Sequence, residues 1–352
     1  MVTTNLGLGL TTGGTGQSLT SGTLIVNGGQ VLNSQALWLG QNAGGSGTLL
    51  LNGGLVQATV VQPNNTPTTS IAYFNGGTLQ ATTNNTSFLQ SQSLILSNGL
   101  VLDDGGFSIS ISAVGLDSGD AFGGGLTKQG AGTVYLDFAN SYTGVTMVAS
   151  GTLAGVGSIA GPVVVRPAGI LGAGDAAALG TLTANSTPLT IQGTVAMRVS
   201  KTGGTPASDL LTGISSATYG GTLSISNATS DTNVLIAGDT FTLFSAGSQS
   251  GNFGVVSGSP SPGLAYSFNP VNGVLSVIAI ASNPTNISFS VSGPTLSLTW
   301  PADHKGWIAQ SNSVTIGAPG FWHDIPGSQS GTNLDVTLNP AQAQVFYRLR
   351  HP

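Results

Sequence analysis

An all-β chain, a parallel β-helix (β-solenoid) followed by a small antiparallel β-sandwich, is what this sequence predicts, on three observations. Among 352 residues there are 54 glycines and only 5% charged residues, and all 12 acidic residues are aspartates. Glu, Lys and Arg are the side chains that hold a surface helix together in water, so a chain this poor in them has little to build one from. Short runs of Val, Ile, Leu and Thr alternate instead with Gly, Asn and Ser, the pattern of strands separated by turns. Finally, Gly22-Thr-Leu-Ile-Val-Asn-Gly-Gly29 returns 25 residues later as Gly47-Thr-Leu-Leu-Leu-Asn-Gly-Gly54, and Asn75-Gly-Gly-Thr-Leu-Gln80 follows at nearly the same interval. A coil of roughly 20–30 residues is what three short strands and three turns require.

Taken in order, the elements support this reading. Thr3-Thr-Asn-Leu-Gly-Leu-Gly-Leu10 is already strand-like and carries no charge, so Leu6, Leu8 and Leu10 mark an expected assembly end. Leu24 and Leu49 fall at equivalent, inward positions of successive coils. Asn27-Gly28-Gly29, Asn52-Gly53-Gly54 and Asn75-Gly76-Gly77 are the expected corners, because Asn tolerates left-handed backbone angles and Gly adopts them freely. Asn-Gly also marks β-hairpins, so an antiparallel arrangement of these segments stays open; the regular spacing favours the solenoid. Gln62-Pro-Asn-Asn-Thr-Pro67 has two prolines and cannot continue a central strand. It reads as a loop protruding from a corner, either a plain insertion or a binding loop.

Gly125-Leu-Thr-Lys-Gln-Gly-Ala-Gly-Thr-Val-Tyr-Leu-Asp-Phe-Ala-Asn-Ser-Tyr-Thr-Gly-Val-Thr-Met-Val-Ala-Ser-Gly-Thr-Leu153 packs three strand-like runs and their turns into one coil. Each run is too short to be stable alone and must bury its apolar face against a neighbouring copy. This unit resembles the autotransporter-associated β-strand repeat of bacterial exported and surface proteins. The resemblance implies a parallel β-helix outside the cell, with a structural or adhesive role more often than a catalytic one.

The solenoid repeats are expected over residues 1–182. Residues 183–281 have longer runs and more aromatics (Phe241, Phe244, Phe253, Tyr266 and Phe268), suited to a broadened, capping part of the solenoid. After the polar linker Ala281-Ser-Asn-Pro-Thr-Asn286, five alternating runs over 282–352 predict a β-sandwich. They are Ile287–Val291, Thr295–Trp300, Trp307–Gln310, Leu334–Leu338 and Val345–Leu349. Its Leu-Ser-Leu-Thr-Trp-Pro and Phe-Tyr-Arg-Leu elements resemble a C-terminal module found behind such repeats.

Seven scattered basic residues and a net charge of -5 make no basic patch, so nucleic acid is not an expected partner. No run of about 20 apolar residues predicts a membrane span. Met1-Val-Thr-Thr-Asn5 lacks the basic and apolar regions of a signal peptide, so an exported form is expected to be a mature chain or part of a longer precursor.

Acid/base chemistry on a β-helix needs clustered carboxylates with a cationic partner. Asp103-Asp104 and Asp117 with Asp120 are the available clusters, and both sit in glycine-rich turns where Asp serves turn geometry; Lys128 is the one base near them. His304, His323 and His351 match no metal spacing, so neither cofactor nor metal is expected. Trp300, Trp307 and Trp322 are either the core of a small module or a platform for sugar rings, with the core favoured because so short a sandwich needs large aromatics. The sequence therefore predicts a non-enzymatic extracellular or cell-surface structural protein, a solenoid rod that self-associates head to tail into filaments. An adhesin that binds surface glycans is the alternative, and a polysaccharide-degrading enzyme comes third.

Overall fold

Side chains that alternate in and out build a stack of parallel strands here, one coil above the next. The computed structural model describes residues 2–3, 6–8, 21–40, 44–64, 69–261, 263–317 and 319–351. Two units result: Met1–Ala196, Asp209–Tyr219 and Phe244–Ser250 form the first; Met197–Ser208, Gly220–Leu243 and Gly251–Pro352 form the second.

In the first unit the strands pair in parallel and in register, so like positions stack into columns. Leu24 lies beside Leu49, Leu49 beside Ala72 and Ala72 beside Ser93. A second column runs Val31, Val56, Leu79, Leu102, Lys128, Val148, Val165 and Ile191. A third joins Ile109, Val134, Leu153, Leu171 and Val195. All the apolar members of this third column are buried. Because each strand contributes only two or three inward side chains, the core is a thin column whose stability accumulates coil by coil. The coil length varies: Leu79 to Leu102 is 23 residues, Leu102 to Lys128 is 26, Lys128 to Val148 is 20 and Val148 to Val165 is 17. The shortening occurs in the connections, since each coil keeps its inward residues in register.

Parallel pairing continues through Thr181–Ile191 with Leu210–Tyr219 in the first unit, and through Thr222–Asn227 with Val255–Ser257 in the second. The aromatics of this region are interior: Phe241, Phe244, Phe253, Tyr266 and Phe268 are all buried. The second unit also holds antiparallel strands Thr240–Thr242, Leu264–Asn269 and Val274–Ala279. Its Asn272-Gly273 turn, with Gly273 at φ 71°, is a hairpin. Two further three-stranded sheets complete it. One is Ser288–Ser292, Thr295–Thr299 and Asn333–Thr337; the other is His323–Asp324, Ile308–Asn312 and Phe346–Arg350. They close over Leu298, Trp300 and Ala309 as a small antiparallel sandwich. The expected strands are present here, with short His323–Asp324 in addition. Among the described residues no helix is long and apolar enough to cross a membrane.

Candidate functional site

The repeat places a charged side chain where the column calls for an apolar one. Strand Leu126–Gln129 alternates, so Lys128 shares the inward face with Leu126 and stacks between Leu102 and Val148. Its side chain is wholly buried, as is that of Asp104, whose Oδ2 lies 2.5 Å from the Lys128 Nζ. The ammonium also donates to three backbone carbonyls, Gly130 at 3.1 Å, Gly132 at 3.1 Å and Ser150 at 2.8 Å. Asp104 Oδ1 in turn accepts from the amides of Gly106 at 2.7 Å and Gly132 at 2.8 Å. A buried charge persists only when paired and hydrogen-bonded, and both conditions are met here. Burial still pushes the Lys128 amine below its ordinary value, against the opposing pull of Asp104 and Asp103.

Two glycines make the cage possible. Gly151 has φ +63°, and a Cβ there would sit 2.3 Å from the Lys128 Nζ. Gly130, at φ +94°, would place a Cβ 2.3 Å from Asp104 Oδ1. Any side chain at either position would displace the ion pair.

The same segment buries two more polar groups. Asn140 accepts from the Leu116 amide at 2.9 Å and donates to the carbonyls of Phe138 at 2.8 Å and Ser158 at 2.9 Å, which joins three coils through one side chain. Tyr142 is fully buried, its hydroxyl 2.6 Å from Thr146 Oγ1, and burial pushes its ionisation above the ordinary tyrosine range. Asn140 spends its hydrogen bonds between coils, Tyr142 spends its own on Thr146 within the coil, and both are closed to solvent. Lys128 therefore has no route to a substrate, and the chemistry of the cage is that of a lock between coils.

Residues 126–154, the coil that holds this cage, match the family model of the passenger-associated-transport-repeat. The chain carries a passenger-type repeat on a β-helix. No curated protein and no solved structure matches the chain. The resemblance drawn from residues 125–153 and the passenger repeat thus fall on the same coil, and the passenger-repeat family is one of exported surface proteins.

The other residues singled out in the sequence are distributed along both units. Asn27, Asn52 and Asn75 stack into a ladder: Asn52 Nδ2 donates to Asn27 Oδ1 at 2.7 Å and Asn75 Nδ2 to Asn52 Oδ1 at 3.4 Å. Asn98, which the sequence reading passed over, adds a further rung at 3.0 Å, and its signal was the Asn98-Gly99 pair 23 residues after Asn75. Among the corner glycines, Gly29, Gly54 and Gly76 have positive φ, whereas Gly77 is required by crowding, a Cβ there falling 2.4 Å from Leu51 Cγ. Gly53 approaches the Asn27 carbonyl, and Gly28 faces open space. Leu49 is fully buried, and its register partner Leu24 is half-buried.

Strand Leu6–Leu8 pairs in parallel with Ala36–Leu39, Leu6 beside Leu37 and Leu8 beside Leu39; Leu10 lies outside the described residues. So do residues 65–67 of the proline loop. Asp103 accepts from Gln80 and Gln129, Asp117 from Ser141, and Asp120 from the amides of Ser97 and Phe122. Asp104 pairs with Lys128, the one base near the aspartate clusters in the sequence.

In the sandwich, Trp300 and Trp307 are 5% and 6% exposed, which places them in the core rather than on a sugar platform. Trp307 Nε1 donates to the Ala281 carbonyl at 2.7 Å. Trp322 is half-buried, with the Arg348 guanidinium 4.2 Å from its ring centre. His304 is held between Asp303 and the Asn283 carbonyl, His351 lies edge-on to Trp307, and His323 is exposed in its own strand. Among the described residues no three metal-ligating side chains come together.

Proposed function

We propose that this chain is a non-enzymatic structural component of a cell-surface or fibre assembly, a β-solenoid that associates head to tail. The observation that supports this most directly is the passenger-type coil with its buried polar groups turned inward: Lys128, Asp104 and Asn140 bond between neighbouring coils, and Tyr142 is buried against Thr146 of its own coil. A coil built this way has stacking as its chemistry. Among the described residues, strands Val2–Thr3 and Leu6–Leu8 each pair with one later strand, and a further parallel strand would use the backbone donors and acceptors of their other edges. A second copy offering an unlike end makes a heterologous contact, which propagates into a filament unless its rotation closes a ring. The low net charge of -5 opposes such stacking weakly. Light scattering over a concentration series, with electron microscopy of the same samples, tests the reading. Mass that grows with concentration is expected, and a monomer at every concentration refutes head-to-tail assembly.

Glycan binding as a surface adhesin is a second reading, favoured by the polar, open end of the C-terminal sandwich.

A further inference from the structure

The two sheets of the C-terminal sandwich close at one end and part at the other. Along strand Ile308–Asn312 the pleat places Ala309 and Ser311 on the same face, and Ser313 continues that phase. Ala309 is 1% exposed in the core with Leu298 and Trp300. Two residues on, the inward position is a half-buried serine, and two further it is an exposed one. A closed sandwich would carry apolar side chains at both. The result is a cleft of ≈ 450 Å³ whose polar side chains are Ser311, Ser313, His323 and Tyr347, with Gln342 at its edge and strand Asn333–Thr337 along one wall. Ile325, Leu334 and Val345 supply its apolar surface.

The hydrogen-bonding capacity of this cleft is unspent. The side chains of Ser311, Ser313, His323, Gln342 and Tyr347 make no hydrogen bond to another described residue. The neighbouring polar network is by contrast fully engaged: Gln310 donates to Asp324 at 2.6 Å, Arg348 to Gln310 at 2.7 Å and Arg350 to Asp324 at 3.0 Å. Those contacts occupy both arginines of the last strand, and no lysine or arginine lines the cleft.

A ligand for such a site must offer many hydroxyls or amides, at least one apolar face, and no negative charge. A pyranose ring meets these terms, its hydroxyls radiating around C–H faces, and the volume lies in the range of small-ligand sites, roughly 300–1,000 Å³. We propose that the open end of the sandwich binds a neutral or amine-bearing saccharide of one or two rings, anionic sugars being disfavoured because the lining offers no cation to pair with them. The proposal deepens the adhesive reading and is independent of filament formation, which scattering reports whether or not a sugar binds.

The test titrates the full chain with neutral disaccharides and amino sugars, alongside uronic-acid and sulfated counterparts, by saturation-transfer NMR and calorimetry. At least one neutral or amino sugar is expected to bind with a Kd below about 10 mM, in preference to its anionic counterpart. Tyr347→Phe and Ser311→Ala each remove one hydroxyl with little change of shape, so each should weaken binding about three- to tenfold while the thermal transition stays in place. No binding by any neutral or amino sugar, equal binding of the anionic ones, or unchanged affinity in both variants overturns the proposal.

Discussion

Replacing Lys128 by methionine tests whether the cage locks the coils. Methionine matches the length of the lysine stem and is apolar, so it fits between Leu102 and Val148 without leaving a cavity. What it removes is the charge beside Asp104, whose carboxylate is wholly buried. Breaking a buried pair from one side costs about 3–5 kcal/mol, because the remaining charge is uncompensated. The carbonyls lose less. Gly132 O keeps the Thr152 amide and Gly130 O keeps the Ser150 hydroxyl, so Ser150 O loses most. Lys128→Met should therefore destabilise the first unit by about 3–5 kcal/mol. Adding Asp104→Asn removes the stranded charge but keeps an oxygen for the Gly106 and Gly132 amides, so the double variant should recover about 2 kcal/mol of that loss. Urea unfolding followed by circular dichroism gives the three free energies, and hydrogen exchange should localise the loosening to the coils around residues 100–154. The reasoning is refuted if Lys128→Met lies within about 0.5 kcal/mol of the parent chain, or if the two substitutions simply add.

Leu49→Asp puts an unpaired charge into the fully buried column, and should cost on the order of 3–5 kcal/mol by the same urea titration, against almost nothing for Asn64→Asp. Equal effects at the two positions would contradict the register. His304 is held above its ordinary value of 6.5, first by the Asn283 carbonyl and then by Asp303. The folded state thus binds this proton more tightly than the unfolded one; the stabilisation is complete below about pH 6.5 and fades as pH rises through the folded value. The thermal transition of the second unit should be higher at about pH 5.5 than at about pH 8, and His304→Gln should flatten that difference; a flat profile in the parent chain contradicts the assignment. Far-ultraviolet circular dichroism should show strands with almost no helix, since the described helical segments are short 3₁₀ turns such as Ala302–His304; a helix fraction above about a fifth refutes the architecture.

Much of this was legible in the residues themselves. The 25-residue recurrence of Gly-Thr-Leu and Asn-Gly-Gly identified strands that pair as Leu24 with Leu49, because in-register stacking demands like residues at like positions. The runs around Thr295–Trp300 and Val345–Leu349 gave the sandwich strands, where simple alternation marks one buried face. The cleft at the open end of the sandwich was not legible. Ser311 and Ser313 carry no motif that would single them out, and only the placement of the two sheets brings them to the cleft, while Trp300 and Trp307, two of the three tryptophans weighed as a sugar platform, are buried.

Sequence alone determined the strand content, the coil period and the passenger-type repeat, since all three are properties of local composition and spacing. Only tertiary structure decided what each shared signal meant. At Asn52 the Asn-Gly pair lies inside strand Ser46–Ala58, whose two halves pair in parallel with Thr69–Phe74 and Thr78–Ala81, whereas at Asn272 it makes a hairpin turn; the dipeptide fixes backbone angles and the surrounding pairing fixes direction. Asp104 and Lys128 stand 24 positions apart, and the sequence marks Lys128 as the one base near the aspartates without showing that the two meet. The stacking of one coil on the next brings them to 2.5 Å, in a place dry enough that neither charge could remain without the other.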